Sequence, residues 1–123
     1  MIHQELTEKI IACAIRVHSN LGPGLLESSY EECLAYELFK RGIQFERQKS
    51  LPLIYEDIRL EIGYRLDIII ENKVIVEVKS VEMLNEVYLA QILTYLKLSG
   101  CRIGLLINFN VKYLKEGIKR VIL

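Results

Sequence analysis

The stretch GYRLDIIIENKVIVEVK, residues 63–79, decides the fold of this chain. It contains two apolar runs that are rich in β-branched residues, and the polar tripeptide Glu71-Asn72-Lys73 separates them. Such runs, bounded by turn residues, are typical of two strands joined in a hairpin. We therefore predict strands at residues 58–70 and 74–79, with Gly63 marking a bulge or a close backbone approach.

The register of this hairpin follows from its apolar side chains. A loop at residues 71–73 pairs six apolar residues on one face: Leu66 with Val78, Ile68 with Val76, and Ile70 with Val74. A shift by one residue would bring charged side chains onto that face. The apolar pattern therefore selects this register and leaves the charged residues of both strands on the opposite face.

The opposite face brings two acids together. In the selected register Asp67 lies directly opposite Glu77, and Arg65 lies opposite Lys79. Like charges at paired positions repel each other, so the two carboxylates need a proton or a cation. Hard oxygen ligands favour Mg²⁺ or Mn²⁺, and the adjacent lysine can hold a water and offset charge on a phosphate. The pair predicts a metal site that hydrolyses phosphodiester bonds; the alternative is an ordinary surface on which Lys79 bridges the two acids.

The rest of the chain has the pattern of helices and further strands. Apolar residues at three- and four-residue spacing predict the helices, and Pro52 places the first strand at a sheet edge. The remaining predicted elements are helices at 4–20, 26–41 and 85–99, strands at 43–54, 102–107 and 118–123, and a short helix or loop at 112–117. The order ααβββαβ(α)β predicts an α/β (α+β) fold, a mixed β-sheet flanked by helices, in one domain spanning residues 1–123.

Composition predicts a cytoplasmic protein. No apolar run approaches the roughly 20 residues of a membrane-spanning helix. The N-terminus lacks the basic and apolar regions of a signal peptide. Three widely spaced cysteines, Cys13, Cys33 and Cys101, complete no zinc pattern, so we expect reduced structural thiols.

Charge is balanced overall but uneven along the chain. The formal net charge is zero, so the chain as a whole does not attract nucleic acid. Residues 97–123 contain Glu116 as their one acid against a larger set of bases: Lys97, Arg102, Lys112, Lys115, Lys119 and Arg120. This basic end could contact phosphate, and the alternative is a solvated surface.

Several motifs resemble known nuclease families. Residues 63–67, GYRLD, followed by the hairpin and Glu77-Val78-Lys79, resemble the signature of the PD-(D/E)XK nuclease superfamily, with Leu66 in place of its proline. Residues 91–95, QILTY, resemble the QxxxY element of RecB-type nucleases. Residues 24–30, GLLESSY, resemble the GxxExxY protein family, whose pattern also fits the segments 17–18, 21–23 and 108–120. The resemblance covers essentially the whole chain.

The resemblance implies a restriction-endonuclease-like core that contains a metal site. Asp67 and Glu77 would bind Mg²⁺ or Mn²⁺, with the main-chain carbonyl of Val78 as a third ligand. Lys79 would orient or activate the attacking water. The metal would act as a Lewis acid, a template and a source of hydroxide.

Two residues outside the hairpin join this site through the resemblance. Glu27 would bind a second metal ion or anchor a water of the first; the alternative is an acid that favours the dipole at a helix N-terminus. Gln91 would hold Lys79 or a phosphate; the alternative is a solvated helix face. Tyr30 and Tyr95 are expected to pack in the core, with a hydrogen bond for the hydroxyl of Tyr30.

Two functions are consistent with these residues. The first is a Mg²⁺-dependent nuclease that acts on DNA or RNA, favoured by the intact set of Asp67, Glu77 and Lys79. The second is a non-catalytic interaction module or partner subunit with the same fold, favoured by the zero net charge. The apolar C-terminal residues 121–123 further suggest a homodimer that pairs strand edges or packs through this segment.

Overall fold

The fold is a mixed β-sheet with helices on both faces, which a computed structural model describes for residues 2–123 apart from the side chain of Ile62. The helices are α1 (Gln4–Leu21), α2 (Glu27–Lys40) and α3 (Glu86–Ser99). The strands are β1 (Phe45–Tyr55), β2 (Ile58–Ile70), β3 (Val74–Lys79), β4 (Ile103–Asn108) and β5 (Ile118–Ile122), with a 3₁₀ turn at Leu114–Gly117. This order of elements confirms the predicted fold class.

The sheet has the strand order β1-β2-β3-β4-β5. Strands β3 and β4 are parallel and the other neighbours are antiparallel. A parallel pair needs a crossover connection, which α3 supplies. β1, which contains Pro52, lies at an edge as predicted. The C-terminal ends of β3 and β4 therefore meet at one end of the sheet, where Lys79 pairs with Asn108.

Each face of the sheet has its own apolar core. α1 and α2 cover one face, and their core includes Ile10, Tyr30, Leu34, Val74, Val76 and Val78. α3 covers the other face, and its core includes Leu66, Ile75, Ile92, Leu96 and Leu106. Since successive side chains of a strand point to opposite faces, Glu77 and Lys79 follow Ile75 towards the α3 side.

The turn between α1 and α2 is fixed by two buried ring side chains. The hydroxyl of Tyr30 donates to the carbonyl of Gly22 at 2.6 Å, and its ring stacks on Phe109 with centroids 4.5 Å apart. Nε2 of His18 forms a 2.7 Å hydrogen bond with the carbonyl of Val111. Tyr30 thus has the predicted core position and hydrogen bond.

Cys13, Cys33 and Cys101 are free thiols, as predicted. In the described part of the chain, no helix is long and apolar enough to cross a membrane.

The ladder between β2 and β3 is shorter than predicted. Its register is the predicted one for three pairs: Ile68 with Val76, Ile69 with Ile75, and Ile70 with Val74. The predicted pairs Leu66 with Val78 and Arg65 with Lys79 are wrong, because beyond the Ile68–Val76 pair β2 is paired with β1 alone. The β1–β2 hairpin therefore continues past β3 as a two-stranded arm.

A distortion of β1 accompanies this divergence. Gln48 lies between the positions that pair with Ile68 and Leu66, and it has a left-handed φ of 51°. An irregular residue within a strand pair increases the local twist. Leu66 accordingly packs in the α3-side core, and not beside Val78 as predicted.

Gly63 lies against the backbone of β1. The β1–β2 register shifts between Leu51 and Leu53. A Cβ atom on Gly63 would clash with the carbonyl oxygen of Leu51 and come within 3.2 Å of Cα of Pro52. This close approach confirms the role predicted for the glycine.

We expect Gly63→Ala to reduce the stability of the protein, because the added methyl group forces the backbones of β1 and β2 apart. Overpacking of this kind typically costs about 1–3 kcal/mol. Urea unfolding measures the effect, with Ser50→Ala, an exposed position on β1, as the control. Equal free energies of unfolding for the two variants would contradict the close approach.

Candidate metal centre

Two acidic side chains meet where β2 leaves β3. The main-chain N–H of Asp67 donates to Oε2 of Glu77 at 2.9 Å, and the main-chain N–H of Val78 donates to Oδ2 of Asp67 at 2.8 Å. Each carboxylate therefore accepts a hydrogen bond from the opposite strand, in place of the ladder bonds that end at Ile68 and Val76. The predicted meeting of Asp67 and Glu77 occurs, although through side chain and backbone contacts and not as a regular cross-strand pair.

The carbonyl of Val78 faces the same gap. In an antiparallel pair, the N–H and C=O groups of one residue point to the same neighbouring strand. Since the N–H of Val78 is bonded to Asp67, the carbonyl of Val78 also points towards β2, past the last ladder pair. The main chain of Val78 therefore borders the gap in which the two carboxylates meet.

Burial changes the electrostatics of the acidic pair. The side chain of Glu77 is buried, with a relative exposure of 4%. Burial, followed by the negative charge of Asp67, raises the pKa of Glu77 from 4.5 to about 8, although the N–H of Asp67 and the charge of Lys79 act in the opposite direction. Burial also raises the pKa of Asp67. Near neutral pH Glu77 therefore holds a proton unless a cation replaces it.

Lys79 ends β3 beside these acids. Its Nζ atom lies 4.8 Å from the ring centroid of Tyr88 on α3. Its positive charge lowers the pKa values of both Asp67 and Glu77, against the effect of burial. Among the ion pairs of the described residues, none joins Lys79 to either acid, so the alternative of a simple salt bridge is not what the structure contains. The ammonium group is held by an aromatic ring at a short distance from the pair.

Glu27 connects the start of α2 to the end of β3. Its Oε2 atom accepts a 3.0 Å hydrogen bond from the main-chain N–H of Ser80, and the hydroxyl of Ser80 donates to the carbonyl of Leu25 at 2.6 Å. The charge of Glu27 reaches Asp67, whose pKa it raises. Glu27 is thus both the acid in the first turn of α2 and a neighbour of the acidic pair.

The partner of Gln91 in the structure is a tyrosine of the same helix. The side chain of Gln91 hydrogen bonds to Tyr95, and both residues line a groove of about 280 Å³ beside Tyr64. Burial, followed by the charges of Glu77 and Asp67, raises the pKa of Tyr95 to about 12. Gln91 therefore contacts Tyr95, which in turn lies near Glu77 and Asp67 on the α3 side of the sheet.

Two residues of the site, Glu31 and Gln48, were not predicted from the sequence. Nε2 of Gln48 donates to Oε1 of Glu31 at 3.0 Å and to Oδ1 of Asp67 at 3.4 Å. Glu31 is buried, and burial, assisted by the charge of Asp67, raises its pKa. Arg47 offsets the negative charge of Glu31 through a 2.9 Å ion pair between Nη2 of Arg47 and Oε2 of Glu31. The spacing of Glu31, four residues after Glu27 on one face of α2, was the signal available in the sequence.

The available donors suit a hard cation. Within residues 2–123, no group of three or more His, Cys, Asp or Glu side chains could hold a metal ion. The donor set at the divergence is two carboxylates and a carbonyl oxygen, to which water would add the rest. Mg²⁺ is usually bound through one or two carboxylates and keeps several waters, whereas structural zinc takes four nitrogen or sulfur ligands. The residues present therefore fit Mg²⁺ or Mn²⁺.

Comparison with known proteins identifies a family. A family model of the PD-(D/E)XK nuclease superfamily matches residues 4–121. No curated protein and no solved structure matches the chain. The matched range contains every element from α1 to β5 except the last residue of β5, and therefore contains the acidic pair.

We expect the metal-free protein to lose stability as the pH rises from about 4.5 to about 8. Because the folded chain raises the pKa of Glu77, it keeps a proton that the unfolded chain has already released over this range. The stabilisation is complete below the unfolded pKa and is lost as the pH passes the folded one. The loss should be on the order of a few kcal/mol, measured by chemical unfolding in a chelator at several pH values.

Glu77→Gln is the matched variant for this measurement. The amide has nearly the same shape and does not titrate, so its stability should fall less over the same pH range. Parallel pH profiles for wild type and Glu77→Gln would show that Glu77 is not the titrating group.

Proposed function

The chain belongs to the PD-(D/E)XK nuclease superfamily, and on this premise we propose that it is a divalent-metal-dependent nuclease that hydrolyses phosphodiester bonds of DNA or RNA. The observation that carries the proposal is the pair Asp67 and Glu77, each bonded to the backbone of the opposite strand beside Lys79. A buried pair of acids is costly to keep unless a cation or a proton compensates it. A fold retained for contacts alone would have no need of such a pair.

Asp67, Glu77 and the carbonyl of Val78 would hold Mg²⁺ or Mn²⁺. When bound, the ion would supply a Lewis acid for the phosphate and lower the pKa of a coordinated water. The two cross-strand hydrogen bonds fix Oε2 of Glu77 and Oδ2 of Asp67, so the cation would be met by Oε1 of Glu77 and by Oδ1 of Asp67, which also accepts the 3.4 Å hydrogen bond from Gln48. Gln48 would keep Asp67 in this orientation through its amide, while Arg47 compensates Glu31 behind it.

Lys79 would act on the reacting atoms. An ammonium group can orient the attacking water and stabilise negative charge that develops on the phosphate. Its position over the ring of Tyr88, without an ion pair to either acid, leaves its protons available for these roles. Glu27 would anchor a water or a second cation at the outer side of the site, and Gln91 would position a phosphate from α3.

The finer family assignment that we propose is the GxxExxY family. The glycine, glutamate and tyrosine of this motif have distinct structural roles around the turn before α2 and its first residues. Gly24 has a φ of 96°, which favours glycine; Tyr30 holds the turn through Gly22; and Glu27 binds the N–H of Ser80. The motif therefore braces the loop before α2 against the residue that follows Lys79, which supports a role in shaping the metal site.

We expect Lys79→Ala to reduce cleavage by about a hundredfold or more, the usual effect of removing a preorganised electrostatic contact. Metal binding, measured by calorimetry with Mn²⁺, should persist because the carboxylates remain. Lys79→Arg should restore little activity, since a guanidinium fork does not replace a compact charge. Cleavage is measured on single- and double-stranded DNA and RNA.

Lys73→Ala is the matched control, because Lys73 is an exposed lysine on the turn between β2 and β3. It should cleave at the wild-type rate. Lys79→Ala protein that stays folded and cleaves as fast as wild type would remove Lys79 from the mechanism. Absence of cleavage by wild type with either metal would favour the alternative of a non-catalytic partner subunit.

A further inference from the structure

A pocket of about 480 Å³ lies between the C-terminal part of α1 and the segment that follows β4. Its lining includes two lysines, Lys112 and Lys115, the exposed ring of Tyr113, and the buried side chain of His18. No Asp or Glu is among the lining residues. None of these side chains belongs to the candidate metal centre at Asp67 and Glu77.

The walls of the pocket are held in place by buried contacts. His18, on one wall, bonds through Nε2 to the carbonyl of Val111 at 2.7 Å. On the adjoining wall, the carbonyl of Gly22 accepts a 2.6 Å hydrogen bond from the hydroxyl of Tyr30, and the ring of Tyr30 stacks on Phe109. A cavity with walls fixed in this way is preformed, which is the usual condition of a binding site.

The charge of the pocket selects an anion. In the described chain, no ion pair involves Lys112 or Lys115. Nζ of Lys112 lies 5.4 Å from the ring centroid of Tyr113. In a chain of zero net charge, two unpaired ammonium groups on one cavity without carboxylates create a local positive potential. Lysines bind phosphate as point charges, and an exposed ring adds a surface for a sugar or base.

Two chain segments that border the pocket also contact the end of β3. The turn that lines the pocket leads to Leu25 and Glu27. The carbonyl of Leu25 accepts a 2.6 Å hydrogen bond from the hydroxyl of Ser80, and Oε2 of Glu27 accepts a 3.0 Å hydrogen bond from its N–H. The N–H of Phe109, just before the pocket segment, donates to the carbonyl of Lys79 at 2.9 Å. Both sites therefore lie at the end of the sheet where β3 and β4 terminate.

We propose that Lys112, Lys115 and Tyr113 bind the phosphate backbone of a nucleic acid strand whose neighbouring nucleotides reach the metal centre. The inference rests on the proposed nuclease function, and it assigns two lysines of the basic C-terminal end, Lys112 and Lys115, to substrate anchoring. The pocket contacts the backbone, not the base edges, so it provides affinity without sequence preference.

Fluorescence anisotropy of a labelled single-stranded oligonucleotide, with the full chain in chelator, tests this anchor without cleavage. Each backbone contact on a single strand contributes about 0.7 to the slope of log affinity against log salt. The double variant Lys112→Gln, Lys115→Gln should therefore reduce the magnitude of this negative slope by about 1.4. It should also weaken binding at low salt by about tenfold or more. The matched control is Lys97→Gln, Lys119→Gln, which removes the same charge at exposed positions outside the pocket and should leave the slope near that of wild type.

Kinetics and competition separate this inference from the proposed function. In cleavage assays the double variant should raise KM and leave kcat nearly unchanged. Equal salt slopes for the double variant and its control would overturn the anchor, even if the wild type cleaves. Binding of inorganic phosphate or a mononucleotide, with no gain in affinity for a strand, would also overturn it. A reduced slope in a protein that does not cleave would support the anchor and reject the nuclease.

Discussion

Two hydrogen bonds between carboxylates and backbone, Glu77 with the N–H of Asp67 and Asp67 with the N–H of Val78, determine the organisation of the site. They take the place of ladder bonds, so β2 separates from β3 at this point and continues with β1 as the arm. The same bonds bring two buried acids together, and the buried negative charge then requires a proton or a cation. The ladder between β2 and β3 thus ends at the residues that form the candidate metal centre.

The surroundings of the acids support this arrangement from three elements. Gln48 on β1 adopts a left-handed backbone that non-glycine residues rarely use, and its amide contacts both Glu31 and Asp67. Arg47 compensates Glu31 on α2, and α3 supplies the ring of Tyr88 that holds the ammonium group next to the acids. Strained backbone and buried charge are costs that surrounding structure must offset, and they concentrate at functional sites.

Much of this architecture could be predicted from the sequence because it depends on periodicity. The alternation of apolar residues fixes the register from Ile68 to Ile70, and hence the meeting of Asp67 with Glu77. The end of the ladder between β2 and β3 could not be predicted. Carboxylates accept the backbone N–H groups there in place of carbonyl oxygens, and this exchange does not change the pattern of apolar residues. For the same reason Leu66 was assigned to the wrong face, and the left-handed Gln48 carries no glycine or asparagine signal. Glu31 was missed because its position four residues after Glu27 places it on the same helix face but does not show that it is buried.

The most direct test of the account is a crystal structure of the protein soaked in Mn²⁺, with anomalous diffraction data collected near the manganese absorption edge. We expect an anomalous peak between the carboxylates of Asp67 and Glu77, within coordination distance of the carbonyl of Val78 and absent from crystals of Asp67→Asn. A fully soaked crystal with an intact site and no peak at this position, or with the peak at a different cluster, would contradict the central claim.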